Sequence, residues 1–498
     1  MSAQSFAETS LPLQREGASP QLLTATAVVS AFAAWALPGH RLGLAAVLVA
    51  FGVAALVAAA RSIPLRVETI GYAGAALALA SMAAVRSAEW VVAVDVMAAG
   101  ALATLAVFGG RTWDDLVRAP IAVTSRAMEA VPFLARGAGR LTAGRGFSPA
   151  LRGAVLGVVL VAVFGALFVS ADRVFADLAH DFLLPEIDLS LLPARAAVFV
   201  AMALASTGLV ITGARFAHLG PPRLLGAVQT AALGEQEGRR PRPGLSPVEW
   251  IIPLGLLDLL FAAFVWVQFT YLFGGRAHVI RTTGLTYAQY ARQGFFQLVA
   301  VAALSLVVVA LASRWARRRQ PRDYWILGVL LGLLMALNLV VLASALKRLA
   351  LYEQIYGFTR LRISVHAVIL WLAGVLLLVL IAGAIRRGAW LPRAVVAFSA
   401  AALLLFNLVN PDGFVAARNV QRYFGAGFAA DRIDVSYLAG LSADAVPALT
   451  ALPGPQRACA LEPHLELFEE PDSWPAWNLG RARARAELER TPPAPCFP

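Results

Sequence analysis

Residues 344–362 carry side chains of the types that could do chemistry. The segment reads SALKRLALYEQIYGFTRLR, and an apolar run follows it as far as Ile385. Arginine binds phosphate or carboxylate through two parallel hydrogen bonds, and tyrosine suits a boundary between water and lipid. This pattern indicates a binding site or a network of ion pairs. Its candidate members are Arg348, Tyr352, Glu353, Tyr356, Arg360 and Arg362.

Two other segments repeat these residue types. One is residues 274–293, GGRAHVIRTTGLTYAQYARQ, and the other is residues 410–423, NPDGFVAARNVQRY, in which two arginines are spaced as neighbours on one helix face. If all three segments lie on one side of a membrane, they predict a site for an anionic head group or an envelope ligand. The added candidates are Arg281, Tyr290, Arg292, Arg418 and Arg422.

A structural interpretation of the same residues is favoured over the binding site. In it, the arginines pair with Glu353, Asp434 and Asp444 and so dock the C-terminal region onto the rest of the protein. Both roles are compatible with one cluster.

Three ionisable residues fall inside apolar runs, where a charge is costly and often functional. Asp258 lies in IIPLGLLDLLFAAF and is a candidate proton or cation relay; Asp95 is a weaker one. The alternative for both is a hydrogen bond or ion pair between helices, and this alternative is favoured. His366 is interpreted as a histidine at a helix interface.

The composition places the chain among membrane proteins. Of its 498 residues, 59% are hydrophobic and 14% are charged, whereas soluble proteins carry about 25% charged residues. The net charge of +12 does not indicate nucleic acid, because the basic residues lie between apolar runs and no nucleic-acid module is present. The predicted partner is the lipid bilayer.

Catalytic signatures are absent from the sequence. It contains no HExxH, P-loop, GxGxxG or CxxC motif, and its six histidines do not cluster. No catalytic residue, metal site or cofactor is therefore predicted.

The apolar runs predict an all-α fold, a transmembrane bundle of about eleven spans, since a spanning helix needs about 20 apolar residues. Residues 1–21 form a cytoplasmic segment without the features of a signal peptide, so the first span is expected to be retained. Residues 22–409 form the bundle, and residues 410–498 form a small helical region. The spans are 22–37, 42–60, 67–85, 88–108, 153–171, 194–212, 249–273, 294–313, 324–345, 361–385 and 390–409.

Basic residues in the connections predict the orientation of the chain. With the N-terminus in the cytoplasm, the cytoplasmic segments hold 23 basic residues and the opposite loops hold 11. Because cytoplasmic loops are enriched in arginine and lysine, the C-terminal region is expected outside. Residues 109–152 are long enough for an amphipathic helix on the cytoplasmic leaflet, but a solvated loop is the favoured interpretation.

The C-terminal region contains the only two cysteines, Cys459 and Cys496. A disulfide between them is expected, because an extracytoplasmic location permits it. Asp412 and Asp434 are predicted to cap the first two helices of this region.

Four blocks of the sequence resemble a family of bacterial polytopic membrane proteins known only as a domain of unknown function. They are YAQYARQGFFQL, LYEQIYGFTRLR, NPDGFVAARNVQRY and DVSYLAGLSADAVPAL, and the resemblance covers about residues 250–450. It implies a bacterial cytoplasmic membrane location and assigns no catalytic residue.

The sequence favours a non-enzymatic membrane protein, either transporter-like or active in signalling at the cell envelope. The alternative is a membrane-embedded enzyme that acts on a lipid-linked or phosphorylated substrate at the outer face.

Overall fold

The computed structural model describes residues 17–60, 66–143, 191–219, 245–273, 295–318, 320–425, 433–465, 471–492 and 494–496. Within them the fold is all-α, as the apolar runs predict. The only β-type pairing in these residues is an isolated bridge between Leu245 and Ala316.

The described residues contain sixteen α-helices, which are numbered α1 to α16 in chain order. Their bounds are α1 Pro20–Ala36, α2 Leu44–Ala59, α3 Val67–Ser81, α4 Glu89–Phe108, α5 Trp113–Ala143, α6 Leu192–Leu219, α7 Pro247–Phe273, α8 Phe295–Trp315, α9 Pro321–Tyr356, α10 Arg360–Ala384, α11 Leu391–Val409, α12 Pro411–Phe424, α13 Val435–Ala439, α14 Val446–Leu449, α15 Gly454–Leu461 and α16 Leu479–Arg490.

Eight helical segments of the described residues are long and apolar enough to cross a membrane, namely α3 with the 3₁₀ turn that extends it to Ala84, α4, and α6 to α11. The chain is therefore a multi-pass membrane protein. Of the three other predicted spans, α1 and α2 are apolar helices of 17 and 16 residues. The predicted span 153–171 lies outside the described residues.

The chain divides into two compact units, residues 1–228 with 466–486, and residues 229–465 with 487–498. In the first unit α3 packs against α4, and α6 packs against α1 and α5. The C-terminal segment of this unit is hydrogen-bonded to the start of α2 and to residues that precede α4. The Asn478 side-chain amide donates to the carbonyl oxygens of Ala83 and Arg86, and the Leu44 amide donates to the carbonyl oxygen of Trp477.

Helix α5 is long and amphipathic, as one of the two interpretations of residues 109–152 predicts. Ala119, Val123, Ala130 and Phe133 are buried on one face. A second apolar stripe remains exposed on a different face. It consists of Trp113, Val117, Ile121, Met128 and Val131.

In the second unit α9 packs against α7, α8 and α10, and α10 packs against α11. Their shared core is aliphatic, with Leu334, Leu342, Leu349, Ile369 and Leu376 among its most buried members. Apolar side chains from four helices thus exclude solvent from the centre of this unit.

Helix α9 has 36 residues and extends well past the predicted span 324–345. It begins with a capping box between Gln320 and Asp323 and ends at Gly357, whose φ is +78°. Glycine takes this left-handed conformation without the strain that a Cβ atom brings. The charged turns from Lys347 onward are a continuation of the same helix.

The C-terminal region of the second unit has a small core of its own. Helix α12 packs against α14, and α13 packs against α15, which buries Val415, Ala416, Leu438, Val446 and Leu461. Cys459 and Cys496 are joined in a disulfide, with Cα atoms 4.7 Å apart.

One of the two predicted caps is wrong. Asn410, in the left-handed conformation, caps α12 by accepting a hydrogen bond from the Gly413 amide, which leaves the Asp412 side chain for other partners. Asp434 caps α13 as predicted, by accepting from the Tyr437 amide.

Candidate functional site

An ion pair between α10 and α12 forms the centre of the candidate site. The Arg360 guanidinium donates to both carboxylate oxygens of Asp412, over 2.9 and 2.6 Å. Arg360 is the first residue of α10, and Asp412 is fully buried. A bidentate pair of this kind is both stronger and more directional than a single charged contact.

The pair is completed by groups from the segments after α12. The Ser442 amide donates to Asp412 over 2.8 Å, and the Tyr437 hydroxyl accepts from the Arg360 amide over 2.7 Å. The beginning of α10, the first turn of α12 and residues 437–442 therefore meet at one carboxylate. We call this set of four residues the junction.

A second contact joins α12 to the turn between α9 and α10. The Asn419 side chain accepts from the Phe358 amide over 3.0 Å and donates to the Phe358 carbonyl over 2.8 Å. A Cβ atom on Gly357 would lie 2.5 Å from the Asn419 side-chain oxygen. Glycine is thus required here for its conformation and for the close approach of α12.

Two arginines bind the C-terminal end of α9. Arg422 donates to the carbonyl oxygens of Glu353 and Gln354 over 2.7 and 2.9 Å. Arg362 donates to the carbonyl oxygens of Tyr356 and Gly357. The last carbonyls of a helix lack partners within the helix and carry partial negative charge, so both guanidinium groups stabilise this end of α9.

Aromatic contacts fix the same two helices. The Arg362 guanidinium lies 4.5 Å from the ring centre of Tyr352, and the Tyr352 ring packs against that of Tyr356. Arg418 is exposed and contacts Phe414 and Gln421 of its own helix.

A second acidic residue is buried beside the junction. Glu353 of α9 is 3% exposed, and one of its carboxylate oxygens lies 3.2 Å from Nδ1 of His366 on α10. His366 therefore lies at a helix interface, as its sequence position predicts.

The charges at the junction are set by competing effects. Burial alone would raise the pKa of Asp412, but the hydrogen bonds and charge of Arg360 and the Ser442 amide outweigh it and hold the pKa below its usual value. Burial and the nearby charge of Arg362 lower the pKa of Arg422. Burial also raises the pKa of Tyr437.

The structure brings most of the predicted cluster together and gives it protein partners. Arg360, Arg362 and Arg422 donate to a carboxylate or to carbonyl oxygens, while Arg348 is half-buried one turn before Tyr352. The predicted residues Arg281, Tyr290 and Arg292 lie outside the described residues. No group of three or more metal-binding side chains occurs in the described part of the chain.

Four residues of the site were not among the predicted members. Asp412, Asn419, Tyr437 and Ser442 all lie within the blocks that carry the family resemblance. Their positions in those blocks were the available signal, but spacing alone does not pair residues 30 to 77 positions apart.

The two acids inside the spans are both buried. Asp95 is fully buried in α4, and Asp258 of α7 is 5% exposed. Both carboxylate oxygens of Asp258 lack a hydrogen-bond partner among the described residues.

The comparisons with known proteins agree with the resemblance seen in the sequence. No curated protein and no solved structure matches the chain. The family model of a domain of unknown function, DUF4153, matches residues 73–452, so the match begins well before the four blocks. The chain belongs to the DUF4153 family.

Proposed function

We propose that the protein is a transporter-like, non-enzymatic membrane protein of the bacterial cytoplasmic membrane. Its N-terminus is cytoplasmic, and its C-terminal region lies outside and holds the outer ends of α9 and α10. The observation that carries this proposal is the buried Asp412 carboxylate, which Arg360 and the Ser442 amide bind from two sides.

This observation supports a role for the C-terminal region on the spans themselves. The junction joins the region after the last span to Arg360, at the start of α10. Asn419 joins the same region to Phe358, in the turn between α9 and α10. A region that only captured a ligand would not need a buried ion pair with a span. Release or closure of this contact would change how α9 and α10 meet at the outer face.

The contacts of the C-terminal region also support the proposed orientation. In the second unit it binds the turn between α9 and α10; in the first unit, residues 477–481 bind Leu42, Leu44, Ala83 and Arg86. With the orientation that the excess of cytoplasmic arginine predicts, all of these loops lie outside.

Purified protein in proteoliposomes tests the transport role. A pH gradient is set across vesicles that contain a pH-sensitive dye, and mixtures of amino acids, sugars, nucleosides or phosphate esters are then added in separate experiments. If the protein transports a solute together with protons, one of these mixtures should change the internal pH faster than it does in protein-free vesicles. Asp412→Asn loosens the junction and should change the rate for that same mixture.

A signalling role at the cell envelope is the second candidate, and the same docked region favours it. A signalling role predicts that none of the solute mixtures changes the internal pH of the vesicles. It also predicts that cells in which the Asp412→Asn variant is correctly inserted differ in phenotype from cells with the wild-type protein. The enzyme alternative has less support, because the guanidinium groups of Arg360, Arg362 and Arg422 already donate to protein acceptors.

Orientation is tested with the native cysteines. A membrane-impermeant maleimide added to intact spheroplasts should label Cys459 and Cys496 only after reduction of their disulfide. Labelling that requires permeabilised membranes would place the C-terminal region in the cytoplasm instead.

A further inference from the structure

Asp258 lies on the buried face of α7, not on its lipid-facing side. The buried residues of this helix are Trp250, Leu254, Asp258, Phe261 and Val265. Their spacing of three or four residues makes them one face. The intervening residues Leu256, Leu259 and Leu260 are exposed.

The surroundings of this carboxyl group are apolar. Leu254 belongs to one aliphatic cluster with Ala312 and Leu327, and Phe261 belongs to another. Val308 of α8 and Leu331 of α9 pack against both clusters. Asp258 therefore lies at the level where the two clusters meet.

Among the described residues, the helices packed around α7 carry no basic side chain at that level. Helix α8 has one charged residue, Arg314, near its end, and α10 has Arg360, Arg362 and His366 in its first two turns. Helix α9 has no charged residue between Asp323 and Lys347. On α7 itself, Glu249 is the only other charged residue.

The lack of hydrogen-bond partners determines whether the Asp258 carboxyl group is protonated or ionised. Both oxygens of Asp258 are buried and lack a partner in the described part of the chain. An ionised carboxylate in an apolar setting is so unfavourable that the group neutralises instead. A metal cation would need several more oxygen or nitrogen ligands, and the described residues contain no such group.

We infer that the Asp258 carboxyl group is a proton-binding site inside the membrane. It holds its proton while α7, α8 and α9 are packed together. It releases the proton only when water reaches the contact between these helices. The inference deepens the proposed transport function by naming the coupling ion, but the bound proton itself does not depend on that function.

Covalent labelling in proteoliposomes tests the site. Dicyclohexylcarbodiimide partitions into lipid and reacts with protonated carboxyl groups in apolar surroundings. At neutral pH, mass spectrometry of the digested protein should find the adduct on Asp258. Asp412 is the matched control within the same molecule, because it is a buried acid that accepts hydrogen bonds from Arg360 and the Ser442 amide, and it should stay unmodified.

Two conditions identify the bound ion. Adduct formation at Asp258 should fall as the pH of labelling is raised, and it should be the same in sodium and potassium buffers. Protection by sodium at constant pH would show a cation site and overturn the inference.

Infrared spectroscopy covers the case in which the reagent does not reach the site. The wild-type protein at neutral pH should show a protonated carboxyl C=O band that shifts in heavy water and is lost in Asp258→Asn. A spectrum without this difference would show that Asp258 is ionised and would overturn the inference. If Asp258 is found protonated but no solute mixture changes the internal pH of the vesicles, the proton site is confirmed and the transport function is rejected.

Discussion

Asp412 and Asp258 are two buried carboxyl groups of the same unit with opposite surroundings. Asp412 receives three hydrogen bonds, two from a guanidinium group and one from a backbone amide. Asp258 receives none from the described residues. One is placed where the chain leaves the last span, and the other lies within a span.

The contrast separates two uses of a buried acid. A carboxylate that is fully hydrogen-bonded is held in its charged form and fixes how segments meet. A carboxyl group without partners has little structural value, and its presence inside a membrane helix indicates a role in function. The following predictions test this division.

The largest effect is expected from Arg360→Ala. Asp412 is fully buried whereas the Arg360 side chain is 36% exposed, so removing the arginine should cost about 3 kcal/mol, the lower end of the range for a buried pair. The variant in detergent should therefore unfold at a clearly lower denaturant concentration than the wild type. Arg418→Ala, an exposed arginine on α12, is the matched control and should cost less than about 1 kcal/mol.

A double variant identifies the cause. Arg360→Ala combined with Asp412→Ala should lose less stability than the two single changes added together. Simple additivity would mean that the pair does not act as a unit.

The next effect is a loss of stability in acid. Burial lowers the pKa of His464 below 6.5, so below that pH the unfolded chain binds a proton that the folded chain excludes. Stability should therefore fall as the pH drops from 7 towards 5. His464→Gln should flatten this part of the profile.

Asp412 acts in a lower range. Its pKa in the folded protein lies below 3.8, so its contribution is complete above about pH 4 and is lost as the pH falls through the folded value. Thermal unfolding measured from pH 3 to pH 8 should show both steps in the wild type. A single step that His464→Gln leaves unchanged would contradict this assignment.

A smaller effect is expected from Tyr437→Phe. This change removes the hydroxyl that accepts from the Arg360 amide but leaves the ion pair in place. The expected cost is about 1 kcal/mol, the usual net value of one hydrogen bond. A loss as large as that of Arg360→Ala would mean that the hydroxyl positions the whole junction.

The smallest effect on stability is expected from Asp258→Asn. A neutral amide replaces a neutral acid of similar shape, and both leave buried polar atoms without partners, so unfolding should change by no more than about 1 kcal/mol. A loss of several kcal/mol would show that the carboxylate is charged and paired, and Asp258 would then belong in the same class as Asp412.

Much of the fold follows from the sequence, because long apolar runs leave few alternatives. The end of α9 was not predicted, since helix geometry continues from Lys347 to Tyr356 after the apolar run has stopped. Hydropathy reports where lipid contacts the chain, whereas backbone hydrogen bonding decides where a helix ends.

The site was predicted in its residue types and not in its pairings. Arginines and tyrosines near residue 356 signal a cluster, and a docking network was the favoured interpretation. Asp412 was assigned to a helix cap, because aspartate near a helix start usually has that role. Asn410 takes the cap in a left-handed conformation, a choice that only the folded backbone shows.

Helix α9 also has a mechanical consequence. It is one continuous helix from Pro321 to Tyr356, without an internal proline, so its length is about 54 Å at 1.5 Å per residue. The hydrocarbon layer is only about 30 Å thick. A rigid rod of this length acts as a lever: a tilt of about 10° about one end moves the other by roughly 9 Å. A small rotation of α9 about its junction end would thus become a large movement at its other end, near Pro321.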